Sequence, residues 1–303
     1  IRDLKQQGIG IIYISHRLEE VFEIGDRVMV LRDGQKVNVR QVSDVDRQGL
    51  IESMVGRSLK SEFPPKTSEV GQECFRVSHL TRGDVVKDVS FSLNAGEILG
   101  FAGLIGAGRT ETMRLIFGAD EKDSGEVMLH GKTLDINNPR EAIAHGICLL
   151  TEDRKTQGLV LAHSVLENFG LPNLKKYSGN FFLDEHVERE RFQSFKKEIK
   201  IKVADPNQDA GHLSGGNQQK LVLAKWLERN ADVLIFDEPT RGIDVGAKFE
   251  IYQLMHSLAA AGKAIIMISS ELPEILGMSD RIIVMRGGRI QGEITNVTDS
   301  SQE

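Results

Sequence analysis

The sequence predicts an α/β fold, and three observations carry that expectation. A short apolar run (Ile98, Leu99) leads into a glycine-rich loop, GFAGLIGAGRT (Gly100–Thr110), and then into helix-like ETMRLIFG. Other apolar runs stop at polar residues, as in GICLLTEDRK (Gly146–Lys155) and ADVLIFDEPT (Ala231–Thr240), the pattern of buried strands opening into loops. Finally, a stretch near the start recurs near the end, so the chain holds two copies of one structural unit.

The repeat comes first in chain order. IIYISHRLEEVFEIGDRVMVLRDG (Ile11–Gly34) aligns without gaps to IIMISSELPEILGMSDRIIVMRGG (Ile265–Gly288), with eleven of 24 pairs identical at an offset of 254 residues. Each copy reads as buried strand, polar loop, helix, strand and turn. Self-similarity at so long an offset means domain duplication rather than a solenoid of about 20–50-residue repeats. Residues 1–62 are therefore expected to be the C-terminal remnant of a first domain, residues 63–71 a linker around Phe63-Pro64-Pro65, and residues 72–303 a second domain. By the same offset, about 180 residues of the first domain would be absent, in keeping with a chain that begins at Ile1 rather than methionine.

Within the second domain, CFRVSHL and VVKDVSFSLNAGE alternate as antiparallel strands do, and GEVMLHGKTL (Gly125–Leu134) reads as a hairpin. Residues 160–200 read as helical. Phe192, Phe195 and Ile199 share one face, and Glu185 is placed to pair with Arg189. A solvated helix packing its own subdomain accounts for that segment.

Several motifs carry chemistry. Strand, glycine loop and helix form a phosphate cradle, because bare backbone N–H groups and a helix N-terminus converge on one point. Gly103, Gly108 and Thr110 fit the pattern G-x-x-x-x-G-K-[ST], with Gly106 and Ala107 inside the loop, but Arg109 stands at the lysine position. LSGGNQQK (Leu213–Lys220) offers a second anion site through Ser214, Gly215 and Gly216, although S-G-G by itself is a common loop. Asp237 and Glu238 end a buried run, where strand-end carboxylates of an α/β sheet face the ligand crevice. Asp237 would hold Mg²⁺ beside Thr110, and Glu238 would polarise an attacking water. A strand merely meeting solvent would look the same. His16 follows the apolar run of the first copy where Ser270 follows that of the second, and a histidine there could donate to a phosphate. Trp226 is expected to be core packing.

Composition narrows the class. The 303 residues are 40% hydrophobic and 27% charged, ordinary for a globular protein. A net charge of −6 argues against a general nucleic-acid partner. Cys74 and Cys148 are the sole cysteines and form neither a disulfide framework nor a zinc site. No apolar run approaches the roughly 18 residues of a membrane span, so work at a membrane would go through a partner.

Taken together, GLIGAGRTE, EDRKTQGLV, LSGGNQQK and DEPTRGIDVGAK make the chain resemble the nucleotide-binding domain of ATP-binding-cassette (ABC) transporters. More narrowly, it is similar to the tandem-cassette ATPase subunit of bacterial monosaccharide importers of the ribose, galactose, arabinose and xylose type. The resemblance implies a P-loop NTPase cassette with a central, mostly parallel sheet, an antiparallel β subdomain and a helical subdomain. It implies ATP and Mg²⁺ as cofactors. The implied partners are membrane permease subunits, indirectly a periplasmic sugar-binding protein, and a complementary cassette, at the cytoplasmic face of the bacterial inner membrane. It implies catalytic roles for Glu238 and His16, metal ligation by Thr110 and Asp237, and nucleotide contacts from Gly103, Gly106, Ala107, Gly108, Arg109, Thr110, Glu152, Ser214, Gly215, Gly216, Asp244 and Ser270. Against the family pattern, Arg109 replaces lysine, Glu152 replaces glutamine and Ser270 replaces histidine. The expectation is a weak or slow site here, and a mixed site elsewhere completed by His16 and Ser214–Gly216. A soluble tandem-cassette protein of ribosomes or DNA repair, or a nucleotide-binding module without hydrolysis, are the competing readings.

Overall fold

A computed structural model describes all residues except 16–17, 33, 56–62, 67, 179–181, 244, 296 and 298–303. Two compact units divide the chain, residues 1–65 with 243–250, and residues 66–242 with 251–303.

The first unit contains α1 (Arg2–Gln6), α2 (Leu18–Ile24), β1 (Arg27–Arg32), β2 (Gln35–Gln41) and α3 (Arg47–Val55). β1 and β2 form an antiparallel pair, and Leu18, Val30, Leu50, Ile51 and Phe249 form the unit's buried apolar cluster. The expected strand at Ile11–Ser15 is not one. The segment is irregular, and Ile12 and Ile14 are 95% and 92% exposed. The reason lies in pairing. A buried strand needs neighbours to take its backbone N–H and C=O groups, and among the described residues this unit's sheet has two strands, β1 and β2.

The second unit runs β3 (Glu73–Arg82), β4 (Val86–Asn94), β5 (Ile98–Ala102), α4 (Arg109–Ile116), β6 (Ser124–Leu129), β7 (Lys132–Leu134), α5 (Pro139–Ala144) and β8 (Ile147–Leu150). It continues through α6 (Val165–Gly170), α7 (Leu174–Tyr177), α8 (Glu185–Glu198), α9 (Gly215–Leu227), β9 (Val233–Asp237), α10 (Val245–Ala260, of which the part from residue 251 belongs to this unit), β10 (Ala264–Ile268), α11 (Leu272–Met278), β11 (Arg281–Arg286) and β12 (Arg289–Ile294). One sheet has the order β12-β11-β5-β10-β9-β8, parallel except at β12. The other, β4-β3-β6-β7, is antiparallel, as the alternation of its sequence predicts. β9 and β10 are buried at every position, which is why they read as unbroken apolar runs.

The helical expectation over 160–200 resolves, among the described residues, into the short α6 and α7, the longer α8 and a 3-10 turn at Leu171–Asn173. Phe192, Phe195 and Ile199 are buried as their spacing predicts, and Phe169 packs its ring 5.5 Å from Phe192 and 5.7 Å from Phe195. Arg189 donates to Asn207 Oδ1 at 3.1 Å rather than pairing with Glu185. Trp226, partly buried, packs against the core, edge-on to Phe117 at 6.4 Å.

The repeat has a structural counterpart. Leu18 and Leu272 open α2 and α11, and Arg27 and Arg281 open β1 and β11, each pair one repeat offset apart. Even the pairing irregularity recurs, between Val30 and Leu31 in β1 and between Val284 and Met285 in β11.

Candidate functional site

Parallel register aligns the strand ends that carry the candidate residues. Ile268 of β10 sits level with Phe101 of β5 and Asp237 of β9. The glycine loop, the Asp-Glu pair and Ser269–Ser270 therefore leave the sheet at one edge, where ligands of open α/β sheets bind.

The glycine loop is shaped from behind. Gly108 caps α4 in the left-handed region (φ +97°), and a Cβ there would come within 3.0 Å of Val85 O and Gly288 Cα. Only glycine meets both demands. Ala107 is buried, its carbonyl accepting from Gly288 N at 3.0 Å, and Gly103 lies against Met285 O. Leu104 and Ile105 form the exposed tip, and Gly106 follows with φ +78°.

Asp237 is 2% exposed. Burial pushes its carboxyl up to about 6, the Thr110 hydroxyl pulls the other way, and the Glu238 carboxylate raises it further. Among the described residues its Oδ1 is buried with no hydrogen-bond partner. Such an orphaned oxygen beside a threonine hydroxyl is a donor set suited to a hard divalent cation, so the residues present fit Mg²⁺. Glu238 follows with φ +49° and donates its N–H to Ile268 O at 2.9 Å. Burial raises its carboxyl, and the Ser270 hydroxyl, donating to Oε2 at 3.1 Å, opposes that.

Arg109 is buried, and its Nη1 donates to the Ser269 carbonyl at 2.8 Å. The guanidinium thus reaches across to the end of β10, a reach that a lysine's single ammonium would use differently. Glu152 forms an ion pair with Arg241. Beside it, Arg154 opens a π-helical turn (Arg154–Gly158), donates to Arg241 O at 3.0 Å and to Gln218 Oε1 at 3.4 Å, and lies so close to Gly215 that a Cβ there would be 2.7 Å from Nη2. Ser214 precedes α9 with an extended backbone, and its Oγ accepts from Asn217 Nδ2 at 2.9 Å. Gly215 and Gly216 begin that helix.

Of the sequence-predicted residues, the glycine loop, Arg109, Thr110, Asp237, Glu238 and Ser270 converge at one edge. Glu152 joins Ser214–Gly216 through the Arg154–Arg241 cluster. His16 and Asp244 lie outside the described residues. Two contributors escaped the sequence reading, Arg154 and Glu274. Arg154 sat inside a quoted motif without a role, and Glu274 had a signal in the repeat, where Glu20 and Glu274 are an identical pair.

Comparisons with known proteins follow this geometry. The family model described as ABC transporter matches residues 86–241, just over half of the chain. The ribose import ATP-binding protein RbsA of Streptococcus agalactiae serotype III (strain NEM316) is 52% identical over 295 residues, covering 97% of this chain and 60% of that protein. RbsA of Bacillus subtilis (strain 168) is 50% identical over 303 residues, all of this chain and 61% of that protein. A putative ribose/galactose/methyl galactoside import ATP-binding protein of Rhizobium etli is 51% identical and is covered over 58% of its length. The chain thus spans about three fifths of the length of these relatives. Among solved structures, a nucleotide-free ATP-binding cassette from an ABC transporter superposes with TM-score 0.65 at 23% identity, over 76% of this chain and 97% of that one. An ABC transporter cassette in its ADP conformation gives 0.63 at 23% identity, over 75% and 93%. At that identity the likeness shows the fold, an ATP-binding cassette.

Proposed function

This chain belongs to the ABC transporter family, and we propose that it is part of the ATP-binding, energy-coupling subunit of a bacterial importer for a monosaccharide. Relatives named as ribose and ribose/galactose import ATP-binding proteins support that reading. The observation that carries it is the orphaned, buried Asp237 Oδ1 beside Thr110, at the strand edge that also holds the glycine loop and Glu238.

In this reading, backbone N–H groups of Gly103–Thr110 and the start of α4 take the phosphates, and Arg109 supplies a positive charge at their rim. Thr110 and Asp237 hold Mg²⁺, which when bound neutralises phosphate charge. Glu238 orients and polarises a water, and burial, by raising its carboxyl, makes it a better proton acceptor. Ser270 holds Glu238 by one hydrogen bond and lacks the reach of a histidine. With Arg109 drawn to Ser269 and Glu152 paired to Arg241, the site binds nucleotide weakly or turns it over slowly.

Ser214, Gly215 and Gly216 would serve a second nucleotide held against a complementary cassette, to which the family pattern also assigns His16, and Asp244 is assigned a nucleotide contact on the same pattern. The recurring element boundaries support a division into the end of one nucleotide-binding domain (1–62), a linker (63–71) and a second domain (72–303). Among the described residues no helix is long and apolar enough to cross a membrane. The names of the relatives support docking on permease subunits at the cytoplasmic face. A periplasmic sugar-binding protein would deliver the solute to that permease.

Calorimetric titration with ATP, with and without Mg²⁺, tests the reading. Binding should strengthen with Mg²⁺, and Thr110→Val and Asp237→Asn should each remove that gain while leaving the far-ultraviolet dichroism intact. ATP affinity indifferent to Mg²⁺ in the unaltered chain would overturn it.

A further inference from the structure

We propose that Glu274 is a positioning residue of the nucleotide site, clamping the loop after β9 to the loop after β10. The proposal rests on reading that strand edge as a nucleotide site. Glu274 lies in the first turn of α11 and is 2% exposed. A carboxylate so removed from water is costly unless its oxygens are satisfied. Here Thr240 Oγ1 and Tyr252 Oη each donate to Oε1 at 2.6 Å, and Ser269 Oγ donates to Oε2 at 2.7 Å.

The donors explain the consequence. Thr240 stands two residues past Glu238, on the loop that leaves β9. Ser269 is the first residue past β10 and the neighbour of Ser270, which donates to Glu238. The Ser269 hydroxyl also accepts from Glu271 N at 3.0 Å, and its carbonyl accepts Arg109 Nη1 at 2.8 Å. One carboxylate therefore fixes, through single hydrogen bonds, the loop of the proposed catalytic carboxylate and the carbonyl that receives the phosphate-loop cation. Thr240 and Ser269 reach the same carboxyl group from different loops, each through its own oxygen.

The repeat supplies an independent observation. Ser15 and Glu20 align with Ser269 and Glu274, and both pairs are identical in sequence. In the first copy Ser15 Oγ donates to Glu20 Oε2 at 2.9 Å, the same bond at the same spacing. The partner donor differs, being Tyr13 Oη at 2.6 Å in the first copy and Tyr252 of α10 in the second. What recurs is the serine–glutamate strut. In sequence it brackets one position whose residue changes between copies, His16 in the first and, just past β10, Ser270 in the second. A strut kept while the bracketed residue varies is built to hold the position of that residue rather than its chemistry.

The full chain tests this with Glu274→Gln, Ser269→Ala and Tyr252→Phe. Glu274→Gln keeps the shape but replaces one accepting oxygen with a donor. Ser269→Ala removes one strut, and Tyr252→Phe removes the bond from α10 while the Thr240 and Ser269 hydroxyls still reach the carboxylate. Amide hydrogen exchange and the Mg²⁺-dependent gain in ATP affinity are read for each. Glu274→Gln and Ser269→Ala should speed exchange at 238–241 and 269–271 by about tenfold, the factor for about one lost hydrogen bond. They should leave the amides of β9 and β10 unchanged and reduce the Mg²⁺-dependent gain by a similar factor. Tyr252→Phe should change both readouts by less than about twofold. Equal effects of Tyr252→Phe and Glu274→Gln, or unchanged loop exchange in Glu274→Gln, would overturn the clamp. If the unaltered chain shows no Mg²⁺-dependent ATP binding, the nucleotide reading fails, and loop exchange alone decides the clamp.

Discussion

At the scale of single residues, burial decides what charge can do. Arg109 could be read in the sequence as a departure from lysine, but its direction could not, because no spacing rule says that its fork would cross to Ser269. A lysine at that position cannot form a planar fork and leaves its compact charge nearer the loop. Arg109→Lys should therefore tighten Mg²⁺–ATP binding by about three- to tenfold, and should cost about 1 kcal/mol of stability for the unpartnered Ser269 carbonyl. Titration calorimetry and urea unfolding check the two halves, and weaker binding would show the arginine to be a phosphate ligand in its own right. Lys225 makes the opposite case, a charge with no chemistry assigned. It is buried on α9, donates to the Gly158 carbonyl and lies 5.2 Å from the Trp226 ring centre. Burial pulls its ammonium down to about 8 from an ordinary value of 10.5. The unfolded chain then holds that proton more tightly, so the penalty is full below about pH 8 and fades as pH rises towards 10.5. Relative to a Lys225→Met variant, the natural chain should gain on the order of 2 kcal/mol between pH 7 and pH 10, measured by urea unfolding at each pH.

At the scale of elements, the turn between β11 and β12 shapes the glycine loop. Gly288 donates to Ala107 O at 3.0 Å and accepts from Lys87 N at 2.8 Å. With φ +78° and only 2.4 Å between an added Cβ and Val85 O, it has no room for a side chain. Its neighbour Gly287 also has positive φ but faces open space. Gly287→Ala should cost about 1 kcal/mol for the left-handed backbone and leave nucleotide binding alone. Gly288→Ala should cost at least about 2 kcal/mol and weaken ATP binding, since the Val85 and Ala107 contacts must shift. Thermal melts and ATP titrations of the two variants check the contrast. This turn was legible in sequence, where Gly34 and Gly288 match across the repeat. So were β3, β4 and the β6–β7 hairpin, whose alternation reports one covered face, and β9, whose unbroken apolar run reports two. Ile11–Ser15 reads like β10 yet is not a strand, because a strand is a property of its neighbours and β10 has β5 and β9 beside it. The Arg154–Gly158 turn and the Glu274 clamp were not legible either. Both depend on residues far apart in sequence meeting at one point, as Arg154 meets Arg241 and Glu274 meets Thr240.

At the scale of the whole molecule, the two units differ in how much apolar surface they cover. The first buries Leu18, Val30, Leu50, Ile51, Ile243 and Phe249, while Ile12, Ile14, Leu31 and Met29 remain 95%, 92%, 60% and 55% exposed. The second encloses a core that runs from Phe75 through Leu99, Phe101 and Met113 to Ile235, Ile266 and Met285. Small units with thin cores are marginal, because backbone entropy scales with length while burial does not keep pace. The first unit should therefore open first. Limited proteolysis should cut within residues 1–65 before it cuts the parallel sheet, leaving a resistant fragment that begins near residue 66. Ligand linkage sharpens the expectation. Mg²⁺–ATP at about a hundred times its dissociation constant stabilises the state that binds it by about 2.7 kcal/mol. The strand-edge site lies wholly in the second unit, so nucleotide should raise the later thermal transition and leave the earlier one in place. Calorimetric scans with and without Mg²⁺–ATP separate the cases. A single transition that moves as a whole with nucleotide would mean that the thin first unit draws its stability from the second, and the early cuts near the N-terminus should then be suppressed by ATP as well.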